Sequence, residues 1–146
     1  MTKSVAEKMG LKSGLRSYLR GAPPSVMRSM KLPELERAIT FRGKFDYVHL
    51  FLKSQAQMDR QFPGAVRHLA SNGKLWVSWP KGGKAGTDLR LPTVIRIGYR
   101  HGMVESTTLS VSPEWSGIKF TRPKPGKRYR NSYGKLPAQA DRRTGR

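Results

Sequence analysis

Residues 72–88 read Asn-Gly-Lys-Leu-Trp-Val-Ser-Trp-Pro-Lys-Gly-Gly-Lys-Ala-Gly-Thr-Asp, and this stretch indicates the fold class. Its first half, Lys74–Trp79, is a short apolar run between the turn signal Asn72-Gly73 and Pro80, which predicts a buried central strand. Its second half is a glycine-rich loop with lysines that ends in Thr87-Asp88, a helix start signal. A strand, a basic loop and a helix N-terminus in this order are typical of the place where α/β proteins bind a ligand.

Strand and helix patterns alternate before this stretch. Leu15–Leu19 alternates apolar and polar residues and predicts a strand, and Arg20-Gly21-Ala22-Pro23-Pro24 then predicts a turn into a helix that ends near Lys31. Arg37–Phe41 is a candidate edge strand. Phe45–Leu52 is apolar on both faces, as in a parallel strand covered by helices, and its His49 is interpreted as a hydrogen-bonded core residue.

A helix follows the Phe45–Leu52 strand. Ser54 and Gln57 have the spacing of a capping box, Pro63 is expected to kink or split the helix, and Asn72-Gly73 is expected to end it. After the central strand, Asp88 is expected to cap a helix over Leu89–His101.

Two further strands, Met103–Ser112 and Trp115–Arg122, predict a terminal antiparallel hairpin. The fold class is therefore α/β: a small three-layer Rossmann-like domain with a mostly parallel sheet and a C-terminal antiparallel hairpin. We expect this domain over residues 14–122, an N-terminal arm over 1–13, and a basic tail over 123–146 that is disordered or draped.

Composition narrows the function classes. The chain has 29 Lys and Arg against 9 Asp and Glu, a net charge of +20, which creates a field that attracts polyanions such as nucleic acid. It has no cysteine, and its three histidines stand far apart in different elements, so no metal site is expected. No apolar run approaches the ~18 residues of a membrane span, and the N-terminus lacks a secretory signal, which predicts a cytoplasmic protein.

Several motifs together resemble one bacterial family. They are Ala6-Glu7-Lys8-Met9-Gly10-Leu11-Lys12, Gly21-Ala22-Pro23, Phe45-Asp46-Tyr47-Val48-His49-Leu50-Phe51, Leu75-Trp76-Val77-Ser78-Trp79-Pro80-Lys81, Thr87-Asp88-Leu89 and Trp115-Ser116-Gly117-Ile118-Lys119. The chain from Ala6 to Arg122 is similar in these landmarks to domain-of-unknown-function family 3052. The resemblance implies a Rossmann-like fold and brings no activity, because that family has no assigned reaction.

The order of elements also resembles the catalytic domain of class I S-adenosylmethionine-dependent methyltransferases. That resemblance implies a glycine-rich turn after the first strand with an acid before it, and a second acid after the second strand. Here Arg20 precedes Gly21, and the second strand ends at Phe41-Arg42. Since arginine offers only hydrogen-bond donors to a ribose diol, the sequence disfavours S-adenosylmethionine as a ligand and leaves the cofactor unknown.

The carboxyl ends of parallel strands share one edge of a sheet, so the loops that follow them are expected to meet. This predicts a rim of lysines, flexible amides, small polar groups and indole rings suited to an anionic ligand. The candidate residues are Gly21, Lys53, Ser54, Trp79, Lys81, Gly82, Gly83, Lys84, Thr87, Trp115 and Ser116. The alternative is that the two tryptophans anchor the core and the lysines are solvated.

The tail mixes basic and aromatic residues, a composition able to pair with phosphates and stack on unpaired bases. The candidate nucleic-acid contacts are Arg122, Lys124, Lys127, Arg128, Tyr129, Arg130, Tyr133 and Lys135. The alternative is a solvated extension that keeps the chain soluble.

The sequence is compatible with three functional hypotheses. The first is a non-catalytic or vestigial Rossmann-like domain that binds an anionic small molecule or an acidic partner at its strand edge. The second is a nucleic-acid-associated protein that uses its basic face and tail. The third is a divergent methyltransferase-like enzyme. An enzyme is disfavoured because Asp88 and Glu114 are the acids expected at the strand edge, and no GxSxG nucleophile motif occurs.

Overall fold

Six strands form one sheet in the computed structural model, which describes residues 2–137. The strands are β1 (Arg16–Arg20), β2 (Glu36–Arg37), β3 (Phe45–Phe51), β4 (Leu69–Pro80), β5 (Val104–Ser110) and β6 (Trp115–Thr121). The helices are α1 (Val5–Met9), α2 (Pro24–Met30), α3 (Gln55–Arg67) and α4 (Leu91–Arg100). The sheet order is β2-β1-β3-β4-β6-β5; β1 to β4 run parallel, and β6 is antiparallel to β4 and β5. The predicted Rossmann-like class with a terminal hairpin is confirmed.

The two faces of the central strands are buried in different cores. Successive strand residues point to opposite faces of a sheet, and in β3 Tyr47 and Phe51 pack with α1 and α2 while Val48 and Leu50 join the larger core with α3 and α4. This double burial explains why β3 is apolar on both faces, as its sequence indicates. Within residues 2–137, no helix has the length and apolar character to cross a membrane.

The edge strand β2 is shorter than the predicted Arg37–Phe41. Only Glu36 and Arg37 pair with β1, at Arg16 and Ser17. Phe41 leaves the strand because its ring stacks on Tyr18 at 4.6 Å and on Phe45 at 5.5 Å between centroids. Aromatic packing thus ends the ladder early and folds the 38–44 loop over the sheet.

The turn signal Asn72-Gly73 does not separate α3 from the central strand. Helix α3 ends at Arg67, and β4 begins at Leu69 and runs through both residues, with a register shift against β3 between Phe45 and Tyr47. The irregularity absorbs the turn-forming pair within the strand. Helix α3 also continues through Pro63 instead of splitting, since Phe62 and Ala65 on either side are buried in the larger core.

The first part of the predicted tail packs against the domain. Leu136 is buried, and Tyr129 lies against the larger core. Asn131 Nδ2 donates to Glu105 Oε2 at 3.0 Å, which ties this segment to β5. Residues 123–137 are therefore draped over the α4 face of the sheet, while residues 138–146 lie outside the described part of the chain.

Candidate functional site

The carboxyl ends of the parallel strands meet along one edge. A Cβ at Gly21, just after β1, would lie 3.0 Å from the carbonyl oxygen of Phe51 at the end of β3. The Phe51 ring lies 5.6 Å from the Trp115 ring, and the Lys81 N–H donates to the Glu114 carbonyl at 2.9 Å. Gly21, Lys81 and Trp115 are thus joined by a continuous chain of contacts at this edge.

The order of strands reverses at β1. From β1 the chain passes through α2 to β2 on one side, and then returns to β3 on the other side of β1. In open α/β sheets, ligands bind outside the carboxyl ends of the strands at such a reversal. Gly21 makes the turn there with φ +79°, a left-handed conformation that favours glycine.

A cavity of about 480 Å³ opens beside this turn, at the ends of β1 and β2. It combines an aromatic and aliphatic wall with two guanidinium groups, and Ile39 on its rim is 96% exposed. Its volume lies in the range of small-molecule sites. The lining residues are Tyr18, Leu19, Arg20, Gly21, Arg37, Ala38 and Ile39.

A second cavity, of about 250 Å³, lies between the start of α4 and the β5–β6 hairpin. The Trp79 indole and Leu91 form part of its wall, and Thr108, Ser110 and Ser116 bring hydroxyl groups. It is therefore a small, mostly apolar recess on the same side of the sheet as α4.

Several predicted rim residues have structural roles. Trp79 and Trp115 are buried core residues, in the larger and smaller core respectively. The Ser54 hydroxyl accepts from the Gln57 N–H at 3.0 Å, and the buried Thr87 hydroxyl accepts from the Leu89 N–H at 3.1 Å. These four side chains are already engaged in packing or capping.

The predicted rim lysines fall into two groups, one engaged in a hydrogen bond and the other exposed. Lys81 Nζ donates to Ser110 Oγ at 2.5 Å, which ties its side chain to the end of β5. Lys53 and Lys84 are exposed, as is Gly82 in the 3-10 segment Lys81–Gly86. The exposed ammonium groups remain accessible to an anion at this edge.

Arg90 was missed by sequence reasoning. Its guanidinium donates to the carbonyl oxygens of Thr87 and Leu89, and it lies so close to Gly83 that a Cβ there would overlap it. Arg90 thus holds the base of the lysine loop. The glycine at position 83 was the available signal, because close approach of another group is one reason for glycine in a loop.

Asp88 does not cap α4, contrary to the sequence prediction. The residue at the N-cap of α4 is Arg90, which makes no side-chain cap hydrogen bond. Asp88 Oδ1 instead accepts from the Gln55 N–H at 2.8 Å, at the start of α3. The cap is therefore supplied from a distant part of the chain, across the carboxyl edge of the sheet.

His49 is a core residue, as its strand context predicts. Its Nδ1 lies 2.6 Å from the Tyr47 hydroxyl and its Nε2 lies 2.7 Å from Ser78 Oγ, and all three side chains are fully buried. Burial lowers the pKa of His49 to about 3 and raises the pKa of Tyr47. The cluster is neutral at physiological pH, and residues 2–137 contain no grouping of three or more acids and histidines suited to a metal ion.

The predicted nucleic-acid residues of the tail also divide by role. The Arg122 guanidinium donates to the carbonyls of Val66 and Leu69 at 3.0 and 2.6 Å, so it fixes the end of α3. Lys127 Nζ lies 5.0 Å from the centroid of the Tyr129 ring. Lys124, Arg128, Arg130, Tyr133 and Lys135 are exposed.

Comparison with solved structures identifies the fold more closely. The ribosomal protein L11 methylase of Lactobacillus delbrueckii subsp. bulgaricus aligns with a TM-score of 0.56 and 13% identity over 80% of this chain and 74% of its own. A TehB-like SAM-dependent methyltransferase of Corynebacterium glutamicum aligns with a TM-score of 0.50 and 8% identity over 81% and 85%. LepI in complex with SAM aligns with a TM-score of 0.52 and 13% identity over 80% and 38%.

No family model and no curated protein matches the chain. The resemblance to domain-of-unknown-function family 3052 therefore stays a prediction. At these identities the solved structures share the fold alone, which is that of Rossmann-like methyltransferases.

Two expectations change with this comparison. The prediction against S-adenosylmethionine is corrected, because similar structures include a SAM-dependent methyltransferase and a complex with SAM. The prediction depended on two missing carboxylates, and these local features do not set the strand order that the structures share. The non-catalytic interpretation finds no support either, whereas the fold that the methyltransferase-like alternative requires is the one these structures share.

Proposed function

We propose that this protein is a divergent methyltransferase-like enzyme that binds S-adenosylmethionine at the ends of β1 and β2. The observation that carries the proposal is the cavity of about 480 Å³ at the carboxyl ends of β1 and β2, next to the Gly21 turn at which the strand order reverses. Ligands of open α/β sheets bind outside the carboxyl ends of the strands near such a reversal. The methyltransferase-like fold supports the choice of cofactor.

The lining of the cavity fits most parts of this cofactor. Tyr18, Ala38 and the exposed Ile39 offer apolar surface to an adenine ring, and Arg20 and Arg37 offer guanidinium donors to the carboxylate of the methionine part. The ribose hydroxyls must find other acceptors than side-chain carboxylates, because the cavity lining contains none. This is the respect in which the proposed site is divergent.

When bound, S-adenosylmethionine supplies a methyl group on a sulfonium to a nucleophilic atom of an acceptor. The residues of this chain would bind and orient the cofactor. Arg20 and Arg37 would hold its carboxylate end, and the Gly21 turn would let the backbone approach it closely. Acceptor groups would enter from the same carboxyl edge, where the 250 Å³ recess at Trp79 and Ser116 lies.

Calorimetric titration with S-adenosylmethionine and S-adenosylhomocysteine tests the binding step. Arg20→Ala/Arg37→Ala removes the two guanidinium groups proposed to hold the carboxylate without disturbing the core, since both side chains are exposed. We expect it to weaken binding by about tenfold, equivalent to about 1.4 kcal/mol. Arg28→Ala/Arg60→Ala is the matched control, because it removes the same charge at exposed positions on α2 and α3, and it should leave cofactor binding unchanged.

Two results of the titration would contradict the proposed cofactor site. Absence of binding by the wild-type chain at millimolar cofactor would overturn the proposal, and equal binding by Arg20→Ala/Arg37→Ala would place the cofactor elsewhere. Transfer of a labelled methyl group is then measured on separate RNA, protein and small-molecule fractions of a cell extract. Incorporation that requires the wild-type cavity supports an enzyme.

A second use of the same edge is the binding of an anionic ligand or partner by the lysine loop. Lys53 and Lys84 are exposed there, and Gly82 and Gly83 hold the loop in left-handed backbone conformations, with φ of +59° and +74°. Inorganic pyrophosphate is a suitable probe. A thermal shift that is lost in Lys53→Ala/Lys84→Ala and retained in Arg20→Ala/Arg37→Ala would support this use.

A further inference from the structure

A basic groove lies at the edge of the sheet opposite the proposed cofactor site. It has a volume of about 500 Å³ and runs between the first part of β4 and the segment that follows β6. Its lining has three cationic side chains and no carboxylate. The lining residues are Ser71, Asn72, Gly73, Lys74, Thr121, Arg122, Pro123, Lys124 and Pro125.

Two lysines are diagonal neighbours beside this groove. Trp76 pairs with Lys119 across β4 and β6, so Lys74, two residues before Trp76, is a diagonal neighbour of Lys119 on the same face of the sheet. Such neighbours stand about 7–8 Å apart. Burial and the charge of Lys74 both lower the pKa of Lys119, as expected where one ammonium repels another.

The acids that form ion pairs in the described chain do so away from this groove. Glu105, on the strand next to β6, accepts from the Tyr99 hydroxyl at 2.6 Å and from Asn131 at 3.0 Å on the α4 side of the sheet. Within residues 2–137, the ion pairs shorter than 4.0 Å join Glu36 to Arg16 and Asp59 to Arg100 and His101. Within residues 2–137, Lys74, Lys119 and Lys124 are therefore like charges that form no ion pair shorter than 4.0 Å.

Parts of the groove are held in place by the fold. Arg122 fixes one side by its hydrogen bonds to the carbonyls of Val66 and Leu69. The Lys124 N–H donates to the Tyr129 hydroxyl at 3.0 Å, and prolines stand before and after Lys124. The backbone that carries Lys124 is thus positioned before any ligand arrives, which reduces the entropy lost on binding.

We propose that this groove binds the phosphate backbone of a single-stranded nucleic acid. The diagonal spacing of Lys74 and Lys119 is comparable to that of successive phosphates in a nucleic-acid strand, and the proline rings at 123 and 125 give an unpaired base apolar surface to lie on. A recess of this kind admits one strand, whereas a duplex or a flat lipid surface would meet only the outermost cations.

The proposed groove is separate from the proposed cofactor cavity. From Lys74 to Pro80 the strand β4 advances six residues, about 20 Å, toward the carboxyl edge. Loss of nucleic-acid binding and loss of cofactor binding are therefore independent outcomes, and neither requires the other.

Fluorescence anisotropy with a labelled single-stranded RNA of mixed sequence tests the proposal on the full chain. The variant is Lys74→Ala/Lys124→Ala, and the control is Arg28→Ala/Arg60→Ala, which removes the same charge at exposed positions on α2 and α3. We expect the lysine variant to bind about tenfold more weakly near physiological salt. The slope of log affinity against log salt should fall by about 1.4, since each phosphate contact to a single strand contributes about 0.7.

The control pair should keep the wild-type slope, and urea midpoints must show that both variants fold. Equal loss in the two variants would mean that net charge alone drives association and would overturn the proposal. Absence of RNA binding by the wild-type chain would overturn it as well. So would equal affinity for a duplex of the same sequence, or complete displacement of the RNA by anionic vesicles.

Discussion

The imidazole of His49 on β3 is joined to the hydroxyl of Ser78 on β4, with His49 Nε2 2.7 Å from Ser78 Oγ in the fully buried smaller core. The other ring nitrogen lies 2.6 Å from the Tyr47 hydroxyl. Each polar atom of the imidazole thus has a partner, which is the condition for burying it at low cost.

The stability of the protein should fall in mild acid because of His49. Burial lowers its pKa to about 3 in the folded state, against 6.5 ordinarily. Between these values the unfolded chain binds a proton that the folded chain does not, so the free energy of unfolding decreases as the pH falls from about 6.5 to about 3. The slope from this group approaches about 1.4 kcal/mol per pH unit.

Urea denaturation at several pH values between 7 and 4 measures this effect. His49→Gln should lose that part of the pH dependence, whereas His68→Gln should keep it. Identical pH dependence in the wild type and His49→Gln would contradict the assignment.

Removing the partner hydroxyl should destabilise the fold. Ser78→Ala leaves a buried imidazole nitrogen without its partner, and the cost of such an orphaned group is about 1–3 kcal/mol. The free energy of unfolding from urea titration measures it. Ser106→Ala, at an exposed position on β5, should change stability by less than about 0.5 kcal/mol; equal effects of the two changes would contradict the role of Ser78.

Gly98→Ala should be destabilising although it replaces glycine inside a helix. Alanine raises helix propensity by about 1 kcal/mol, but a Cβ at Gly98 would overlap the ring of Phe120 on β6. Overpacking of this kind costs about 1–3 kcal/mol, so we expect a net loss. The melting temperature from thermal denaturation measures the effect, with Arg96→Ala at an exposed position of α4 as the control. A higher melting temperature for Gly98→Ala than for the wild type would show that α4 can shift on the sheet.

Asp88→Ala should loosen α3 and not α4. The carboxylate accepts from the Gln55 N–H at 2.8 Å, and loss of a side-chain cap costs about 1 kcal/mol. Hydrogen exchange should speed up at the first amides of α3 while those of α4 are unchanged. Glu114→Ala, which removes an exposed carboxylate near the same edge, is the control; faster exchange in α4 would restore the local-cap interpretation.

The local sequence predicted much of the fold. The apolar run at Phe45–Phe51, the Ser54 cap and the terminal hairpin were all found close to their expected positions. These features depend on side-chain periodicity and on hydrogen bonds between near neighbours, which the sequence contains directly. The grouping of strand ends at one edge also followed, because parallel strands share their carboxyl side.

The tertiary structure decided what depends on distant residues. Asp88 caps a helix that begins 33 positions earlier, Arg122 binds carbonyls more than 50 positions away, and the Asn72-Gly73 pair lies inside β4 at its register shift against β3. The cavity lined by Arg20 and Arg37 and the diagonal proximity of Lys74 to Lys119 exist only once the strand order is set. Sequence fixes local hydrogen bonding and burial pattern, whereas the approach of residues far apart in the chain is set by how the whole sheet packs.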